Sequence, residues 1–463
     1  MTGAYPSHWV LASGHEVFEL VTSGSRGWAE HYAPAGARFI RIGNLDHDAI
    51  TIDLTDVQHV NPPDGAEGAR TRLRANDILI SITAELGMVG VVPANFGEAY
   101  INQHIALARP RPSVNPQYVA WYFASEANGK KALRDLGRGG TKVGLGLNDI
   151  REAAIPLAPL PEQQRIADKL DTVLARVDAV NARLARVAPL LKRFRQSVLA
   201  AATSGLLTAN MSIASNALGH EADEPVPPKW KLARLSAISD VIDPNPKHRN
   251  PIYQDDGELF LSTTNFAESG GWNLEATKRV SKATVLEQQA RCKFTRHSLV
   301  FSRKGTIGKV RMVPLVESFA LLDSLVVINA KEGLSPGYLL LALQSPIVQE
   351  QVVRLTRGVA LKQVSVGVVR SLEIPLPEMD EQTEIVRRVE LLFGFADRLE
   401  ARLQAAQTAS ARLTPSLLAK AFRGELVPQD PNDEPASELL KRLAQSQPVG
   451  GAKKKGRARP AAV

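Results

Sequence analysis

The chain has 463 residues, of which 44% are hydrophobic, with one cysteine and a formal net charge of +8. This length predicts two to four domains, and the apolar content excludes wholesale disorder. A single cysteine excludes an internal disulfide and a cysteine-rich zinc site. The pI near 9.5 favours a polyanionic partner, nucleic acid first, although a basic surface that only serves solubility is the alternative.

The chain carries no sign of a membrane or export segment. Residues 1–17 lack the charged and then apolar run of a secretory signal. No stretch of 18 consecutive apolar residues is present that could form a membrane span. Together with the single cysteine, these features predict a cytoplasmic protein without a membrane partner.

Residues 1–154 show the pattern of a mixed α/β globule. Short β-like runs such as "FIRIGNL", "DILISI" and "MVGVV" precede a helical stretch, "PQYVAWYFASEANGKKAL". The loop "LGRGGTKVGLGLND" at 136–149 then combines glycines with cations just before the last strand. Glycines let backbone N–H groups approach a phosphate, and cations can neutralise charge or read a guanine edge. A solvated basic loop is the alternative.

The segment "IPLAPLPEQQRI" at 155–166 indicates a strand end, a proline break and a helix start. From Ile166 to Val198 the apolar positions alternate steps of four and three, which is a heptad pattern. Its narrow apolar stripe needs a second helix to cover it, and a helix that packs only on its own globule is the alternative. Pro189 lies inside the pattern and is expected to kink or interrupt the helix.

A second copy of this organisation follows a linker at 209–228 that is rich in Ser, Asn, Gly and Pro. The segment "IPLPEMDEQTEI" at 374–385 repeats the first helix start 219 positions later. Matches at offsets of 219–221 run from Trp9 and Trp230 to the helix ends "SVLAAATSGLL" and "SLLAKAFRGEL". An ordered series at nearly one offset indicates a tandem duplication.

The second helix repeats the apolar stripe, with only Ser410 polar and with Pro415 expected to interrupt the helix. The two stripes predict an intramolecular coiled coil. Its predicted seam residues are Ile166, Leu170, Val173, Val177, Val180, Leu184, Leu191, Ile385, Val389, Leu392, Leu399, Leu403 and Leu413. A helix of about 33 residues rises about 50 Å, roughly a dozen base pairs of DNA. Two globules on such a rod can read two separated half-sites.

The duplication predicts six segments along the chain. They are a first globule (1–154), a helical spacer (155–208), a linker (209–228), a second globule (229–373), a second helical spacer (374–428) and a basic, partly disordered C-terminal tail (429–463). The predicted fold is therefore a pair of mixed α/β (α+β) globules joined by two long helices.

The motifs predict no catalytic residue, no metal site and no cofactor bound by this chain. In "NPPD" at 61–64, Asp64 replaces the aromatic residue with which an amino-methyltransferase stacks on a flipped base. "GLG" at 144–146 follows a loop instead of a strand, and "RKGTIGKV" at 303–310 lacks the first glycine of a P-loop. The histidines show no paired-ligand spacing.

Two variable globules, each ending in an "IPLxxLPEQQRI"-type sequence and followed by a helix ending in "SVLAAATSGLL" or "SLLAKAFRGEL", resemble the specificity subunit of type I restriction-modification systems. The resemblance covers about 5–426. "EMDEQ" at 378–382 departs from it by lacking the second proline, and the tail beyond Gly424 is longer than the repeat requires. The resemblance implies target recognition domains that each read part of a bipartite sequence, and helices that form an antiparallel rod fixing the gap.

The resemblance also implies a non-catalytic chain with three kinds of partner. These are double-stranded DNA, two methyltransferase subunits that methylate adenine N6, and two ATP-dependent restriction subunits. S-adenosylmethionine, ATP and Mg are then expected on the partner subunits. A free-standing DNA methyltransferase or nuclease would need an adenosyl-binding loop and a catalytic motif. A coiled-coil scaffold without DNA binding would show no salt-dependent DNA affinity.

Base-reading residues do not transfer through the resemblance, so DNA contacts are predicted from residue type and position. They are Asn44, Thr83, Arg138, Thr141, Lys142, Asn265, Arg303, Lys304, Arg357, Lys362 and Gln363. Arg303 and Lys304 follow a β run where the first copy is expected to have Thr83 and Ala84. If both copies contact DNA, these substitutions predict that they read different bases.

Overall fold

The computed structural model describes residues 5–62, 65–138, 144–209, 227–246, 251–267, 270–316, 318–356 and 363–445. The chain divides into two compact units, one formed by 1–184 with 405–463 and the other by 185–404. Each unit combines one globule with a segment of both long helices. The units therefore divide the chain differently from the segments predicted along the sequence.

The first unit contains short strands and helices in the order that the sequence predicts for a mixed α/β globule. Its strands are β1 (Val10–Ser13), β2 (Phe18–Ser23), β3 (Tyr32–Ala33), β4 (Ala37–Ile40), β5 (Gln58–Val60), β6 (Ile78–Ser81), β7 (Val89–Val91), β8 (Ala99–Ile101), β9 (Ile105–Pro110) and β10 (Ala154–Leu157). Its helices are α1 (Gly14–Val17), α2 (Ala66–Thr71), α3 (Pro116–Ala124), α4 (Gly129–Leu136) and α5 (Leu147–Glu152). The first long helix follows as α6 (Leu160–Thr203).

The second copy repeats this order. Its strands are β11 (Lys231–Arg234), β12 (Ser239–Ile242), β13 (Tyr253–Gln254), β14 (Glu258–Leu261), β15 (Arg279–Val280), β16 (Leu299–Ser302), β17 (Val310–Met312), β18 (Phe319–Leu321), β19 (Leu325–Ala330) and β20 (Glu373–Leu376). Its helices are α7 (Leu235–Ile238), α8 (Lys282–Arg291), α9 (Pro336–Gln344), α10 (Pro346–Thr356) and α11 (Val366–Arg370). After them come α12 (Met379–Ala411), α13 (Leu413–Ala421) and α14 (Ala436–Gln445).

The two globules have the same sheet topology. A first sheet has the strand order β2-β9-β6-β7 in one copy and β12-β19-β16-β17 in the other, and a second sheet has β3-β5-β4-β8 and β13-β15-β14-β18. The pairs β4–β8 and β14–β18 are parallel, and β1–β10 matches β11–β20 as an antiparallel pair. Because strand order depends on pairings far apart in sequence, this agreement supports the duplication independently of residue identity.

The central strand β6 explains why its sequence is an uninterrupted apolar run. Ile78 and Ile80 belong to one hydrophobic cluster, and Leu79 belongs to another on the opposite face. Successive side chains of a strand point to opposite faces. The strand is therefore buried on both sides, as β16 is in the second copy.

The repeated Glu of the two helix starts ties the long helices to their globules. The Trp9 indole donates to the Glu162 carboxylate at 3.0 Å, and the Trp230 indole donates to the Glu381 carboxylate at 3.0 Å. A buried indole N–H needs an acceptor, and a buried carboxylate needs donors. The matched tryptophans and glutamates of the two copies therefore form the same Trp–Glu contact in each copy.

The Gln that follows each Glu makes a second repeated contact. The Gln163 side chain accepts from the backbone N–H of Asn115 at 3.0 Å, and the Gln382 side chain accepts from that of Ser335 at 2.8 Å. Asn115 and Ser335 cap the helices α3 and α9. Each Gln thus satisfies a donor that a helix N-terminus leaves unpaired.

In the first unit, the start of α6 packs antiparallel to α13. Ile166 and Leu170 share one hydrophobic cluster with Leu418 and Phe422. Further along α6, the Ser410 hydroxyl donates to the Asn181 side chain at 2.6 Å. The one polar position of the second stripe therefore has a polar partner, as a buried hydroxyl requires.

In the second unit, the end of α6 packs antiparallel to the start of α12. Val198 shares one cluster with Ile385 and Val389. Arg195 donates to Asp397 at 2.6 Å. Both units therefore contain a segment of the antiparallel helix pair that the sequence analysis anticipated.

The predicted seam is covered at most of its positions. Ile166, Leu170, Val177, Leu191, Ile385, Val389 and Leu403 are buried. Val173, Leu184, Leu392 and Leu399 are half-buried. Val180 and Leu413, in contrast, are 46% and 47% exposed. Leu174, outside the heptad positions, is 5% exposed. A straight α-helix drifts relative to a strict heptad, which moves the buried face away from Val180.

The two prolines differ in their effect. Helix α6 continues through Pro189, so of the kink or interruption expected there, the interruption does not occur. Helix α12 ends at Ala411, four residues before Pro415, where a proline ring meets the carbonyl of residue i−4. The helix restarts at Leu413, and this break accounts for the exposure of Leu413.

Part of the predicted C-terminal tail is a helix in the core of the first unit. In α14, Leu439 and Leu443 are 1% and 2% exposed, and Arg165 donates to Asp433 just before this helix at 2.6 Å. The spacing of Ala436, Leu439 and Leu443 by three and four is a helical signal that the charged end of the chain obscured. Among the described residues, no helix has the length and apolarity to cross a bilayer.

A turn after the central strand provides a first stability test. Ala84 has a positive φ of 60°, and Gly305 has a φ of 73° at the equivalent turn of the second copy. An L-residue in this conformation costs about 1 kcal/mol more than glycine. We therefore expect Ala84→Gly to stabilise the first unit and Gly305→Ala to destabilise the second, each by about 1 kcal/mol. Urea unfolding checks both, and equal shifts of the same sign would contradict the explanation.

Candidate functional site

The strands β6 and β16 end in the same hydrogen-bonded turn. The Ser81 hydroxyl donates to the Glu85 carbonyl and accepts from the backbone N–H of Met88. Ser302 makes the same two bonds with Thr306 and Lys309. The matched Ser and Gly residues therefore belong to the same turn in each copy, and this turn positions the residues inside it.

A second segment pairs with each turn and completes a loop site. In the first copy, Thr83 bridges to Gly144, and the backbone N–H groups of Gly144 and Arg138 donate to each other's carbonyls at 3.0 Å. In the second copy, Lys304 bridges to Gln363. The predicted contacts Thr141, Lys142, Arg357 and Lys362 fall within 139–143 and 357–362, outside the described residues. We call this place the loop site of each globule.

The loop site of the first copy carries neutral hydrogen-bonding groups and one exposed cation. The Thr83 hydroxyl lies 2.8 Å from His104 Nδ1, and the Gln103 side chain lies 2.9 Å from His104 Nε2. Arg138 is 80% exposed and lies 3.2 Å from Asp149. These groups offer donors and acceptors of the kind that contact base edges.

The loop site of the second copy is a network of charges instead. The Arg303 guanidinium is 7% exposed and lies 3.2 Å from Asp243 and 4.0 Å from Asp323. Lys304 is 32% exposed and is ion-paired with the same Asp323. Gln363 is exposed beside it. Among the described residues of this network, Lys304 is therefore the cation that extends toward solvent.

Strand pairing corrects the alignment of the two sites by one residue. The backbone N–H of Ile82 donates to His104 O, and that of Arg303 donates to Ser324 O. Arg303 thus matches Ile82, and Lys304 matches Thr83, where the sequence comparison placed them opposite Thr83 and Ala84. A cation inside the second globule replaces an apolar side chain inside the first.

Three predicted DNA contacts are buried and have partners within their own globule. The Asn44 amide accepts from Arg41 N–H and donates to the carbonyls of Asp53 and Asp56. The Asn265 amide likewise accepts from Ser262 N–H and donates to the Asn273 carbonyl and the Thr277 hydroxyl. Arg303 holds two carboxylates, as above. Their burial gives all three a structural role, which sequence position alone did not show.

The site contains residues that sequence analysis missed. His104, Asp243 and Asp323 contact the loop-site residues across gaps of 21, 60 and 19 positions. The sequence contains only a weak signal for them. His104 lies in the short link between β8 and β9, and Asp323 lies in the link between β18 and β19. In both links, polar residues separate two buried strands. Links of this kind carry functional residues more often than strands do.

The described part of the chain contains no group of three or more His, Cys, Asp or Glu side chains that could hold a metal ion. Burial raises the pKa of the Cys292 thiol to about 12. A neutral buried thiol is not a nucleophile.

Comparison with known proteins decides the family. The family profile described as "Type I restriction modification DNA specificity domain" matches residues 36–188 and 252–406, more than half of the chain and once in each copy. The StySPI specificity subunit of a type I restriction enzyme from Salmonella potsdam is 30% identical over 451 residues, which cover 90% of each chain. The chain belongs to the family of type I restriction-modification specificity subunits.

Further relatives agree with this assignment. The specificity subunit of the type I restriction enzyme EcoKI from Escherichia coli is 27% identical, with 98% of this chain and 99% of the relative covered. The solved HsdS subunit from Thermoanaerobacter tengcongensis has the same fold, with a TM-score of 0.58, 19% identity, and coverage of 91% and 98%. The family resemblance and the tandem mixed α/β fold predicted from sequence are confirmed. The specificity subunit is the non-catalytic, sequence-recognition member of its system, without a cofactor of its own.

Proposed function

We propose that this specificity subunit reads a bipartite DNA target, one half with each globule, and brings methyltransferase and restriction subunits to that target. One observation carries the proposal: the two globules share a sheet topology but differ at equivalent positions of the loop site. Thr83 and His104 in the first correspond to Lys304 and Ser324 in the second. A common scaffold with different side chains suits two different half-sites.

The proposed recognition domains are 1–154 and 229–373, and the proposed spacers are 155–208 and 374–428. Helix α6 has 44 residues. At about 1.5 Å per residue it rises about 66 Å, the length of roughly 20 base pairs. We propose that the helical spacers set the separation of the two half-sites.

The proposed partners are double-stranded DNA, two methyltransferase subunits and two restriction subunits. The methyltransferase subunits would supply S-adenosylmethionine for adenine-N6 methylation, and the restriction subunits would supply ATP and Mg. The two globules motivate the number two, since each copy offers one equivalent surface to a partner. The cytoplasmic location remains a prediction from sequence.

Genome-wide mapping of N6-methyladenine tests this function. The chain is co-expressed with the methyltransferase subunit encoded beside it, and methylation is read by single-molecule sequencing. We expect one bipartite motif with a fixed gap, whose first half changes when residues 1–154 are exchanged for those of another family member. Methylation without a motif, or no methylation despite a stable complex, would refute the proposal.

Lys304 gives a more local test of DNA contact. If its ammonium reaches a phosphate, Lys304→Ala should weaken binding of the complex to all sequences by about fivefold and reduce the salt slope by about 0.9. Asp323→Asn should act in the opposite direction, because it releases Lys304 from its ion pair. Lys331→Ala, at the far end of the same sheet and 43% exposed, is the matched control. Equal salt slopes for all three variants would contradict the contact.

A further inference from the structure

A second cleft occurs at the same place in both recognition domains, away from the loop site. In the first domain it has a volume of about 340 Å³ and lies at the start of β4 and before β8. In the second it has a volume of about 720 Å³ and lies at the start of β14 and before β18. We call it the edge cleft.

Strand register shows that the two edge clefts are equivalent. His59 is the cross-strand neighbour of Arg38, and Arg279 is the cross-strand neighbour of Leu259. A glycine with positive φ lies at each cleft: Gly36 lines the first, and Gly257 directly precedes the lining residue Glu258 of the second. At these glycines a Cβ would approach a carbonyl oxygen within 2.8 or 2.5 Å. The backbone of the cleft is therefore the same while its side chains differ.

The first edge cleft presents both donors and acceptors. The Arg38 guanidinium lies 5.2 Å from the centre of the Phe96 ring and donates to the Phe96 carbonyl, which leaves further N–H groups unused. His59 is its cross-strand neighbour, and Asn95 and Glu98 also line the cleft. These are the side-chain types that contact guanine, adenine and cytosine edges.

The second edge cleft has a different set of groups. Arg279 donates to the Gly257 carbonyl at 2.6 Å, and Lys282 and Gln289 line the cleft with it. Leu315 also lines it and is 91% exposed. A solvent-exposed leucine beside cations and an amide suits a thymine methyl group next to hydrogen-bonding base edges.

The cleft and the loop site lie at opposite ends of short strands in each domain. The edge cleft is at the start of β8 and the loop site follows its end. Strand β8 has three residues and is therefore about 10 Å long, which is the rise of about three base pairs. A duplex lying along the strands would therefore reach both places within one half-site.

We propose that the edge cleft is a base-reading subsite of each recognition domain, with Arg38 and His59 contacting the first half-site and Arg279 and Leu315 the second. This inference rests on the proposed function and assigns a contact to it. Because the side chains of the cleft differ between the two domains, the two half-sites have different sequences. The shared backbone gives both domains the same contact geometry.

Exchange of residues between the copies tests the subsite. The variants His59→Arg and Leu315→Asn are each purified in complex with the methyltransferase subunit. Their affinities are measured for duplexes that carry the wild-type motif with every single base-pair change. We expect His59→Arg to alter the preference at one or two positions of the first half by on the order of tenfold, with the second half unchanged. Leu315→Asn should do the converse.

Two controls separate this inference from folding effects and from the proposed function. Thermal unfolding verifies each variant, and Leu315 is too exposed for its replacement to disturb the core. Lys131→Ala, an exposed cation elsewhere in the first domain, should leave every preference unchanged. Unchanged preferences, or uniform weakening at all sequences, would refute base reading by the cleft and leave the bipartite function intact. A wild-type complex without any bipartite preference would refute both.

Discussion

Asp77→Ala should destabilise the first unit by about 3–5 kcal/mol. The Asp77 carboxylate is fully buried and accepts two hydrogen bonds from the Arg109 guanidinium, at 2.6 and 2.7 Å. It also accepts from the backbone N–H of Arg74 at 2.7 Å. The hydrogen bond to Asp77 raises the pKa of Arg109. The substitution would therefore leave a charged guanidinium that is 13% exposed without its counter-charge.

The second copy shows which change restores the balance. Ser298 occupies the position of Asp77, and Asn329 occupies the position of Arg109. The Ser298 hydroxyl donates to the Asn329 side chain at 2.6 Å. The double variant Asp77→Ser/Arg109→Asn should therefore lose only about 1 kcal/mol, since a neutral hydrogen bond replaces the buried ion pair. Urea unfolding of both single variants and the double variant measures the coupling.

An exposed ion pair in the same unit is the control for this cycle. Lys131 and Asp135 are each 65% exposed, and their removal should cost less than about 0.5 kcal/mol. If the double variant at Asp77 and Arg109 were as unstable as the sum of its single variants, the pair would not act as a compensated unit.

Arg303→Ile should destabilise the second unit by a similar amount, about 3–5 kcal/mol. The residue has one buried guanidinium between Asp243 and Asp323. Its removal would leave two largely buried carboxylates with Lys304 as their remaining cation. Because Lys304 would be held more firmly by Asp323, we also expect recognition of the second half-site to weaken while the first half-site stays unchanged.

The first copy again supplies the compensated variant. Ile82, Ser23 and Gln103 occupy the equivalent positions, so the triple variant Arg303→Ile/Asp243→Ser/Asp323→Gln replaces the charges with that neutral set. Its stability should return to within about 2 kcal/mol of the parent chain. Lys304 should then be free to contact phosphate. Unfolding curves and binding to duplexes altered in one half-site check both statements, and a triple variant no more stable than Arg303→Ile would argue against the network.

The sequence was sufficient for features that repeat locally. The matched Trp, Glu and Gln positions each correspond to a contact made once in each copy, so a single offset located the duplication and both helix starts. The four-and-three spacing likewise predicted the two long helices, because a helix buries residues at a fixed spacing along one chain. Pro415 marked the end of α12 for an equally local reason, its ring meeting the carbonyl of Ala411.

Only the tertiary structure decided which candidate side chains are buried. Asn44 and Arg303 have the residue types of DNA contacts, yet both are buried. Asn44 bonds to the nearby Arg41, Asp53 and Asp56, whereas Arg303 lies against Asp243 and Asp323 from distant segments. Strand pairing brings His104 to Thr83 and forms the edge cleft from β4, β5 and the segment before β8. The physical reason is that burial and side-chain neighbours depend on long-range pairing and packing, whereas periodicity along one segment determines only the local element and the face that it buries.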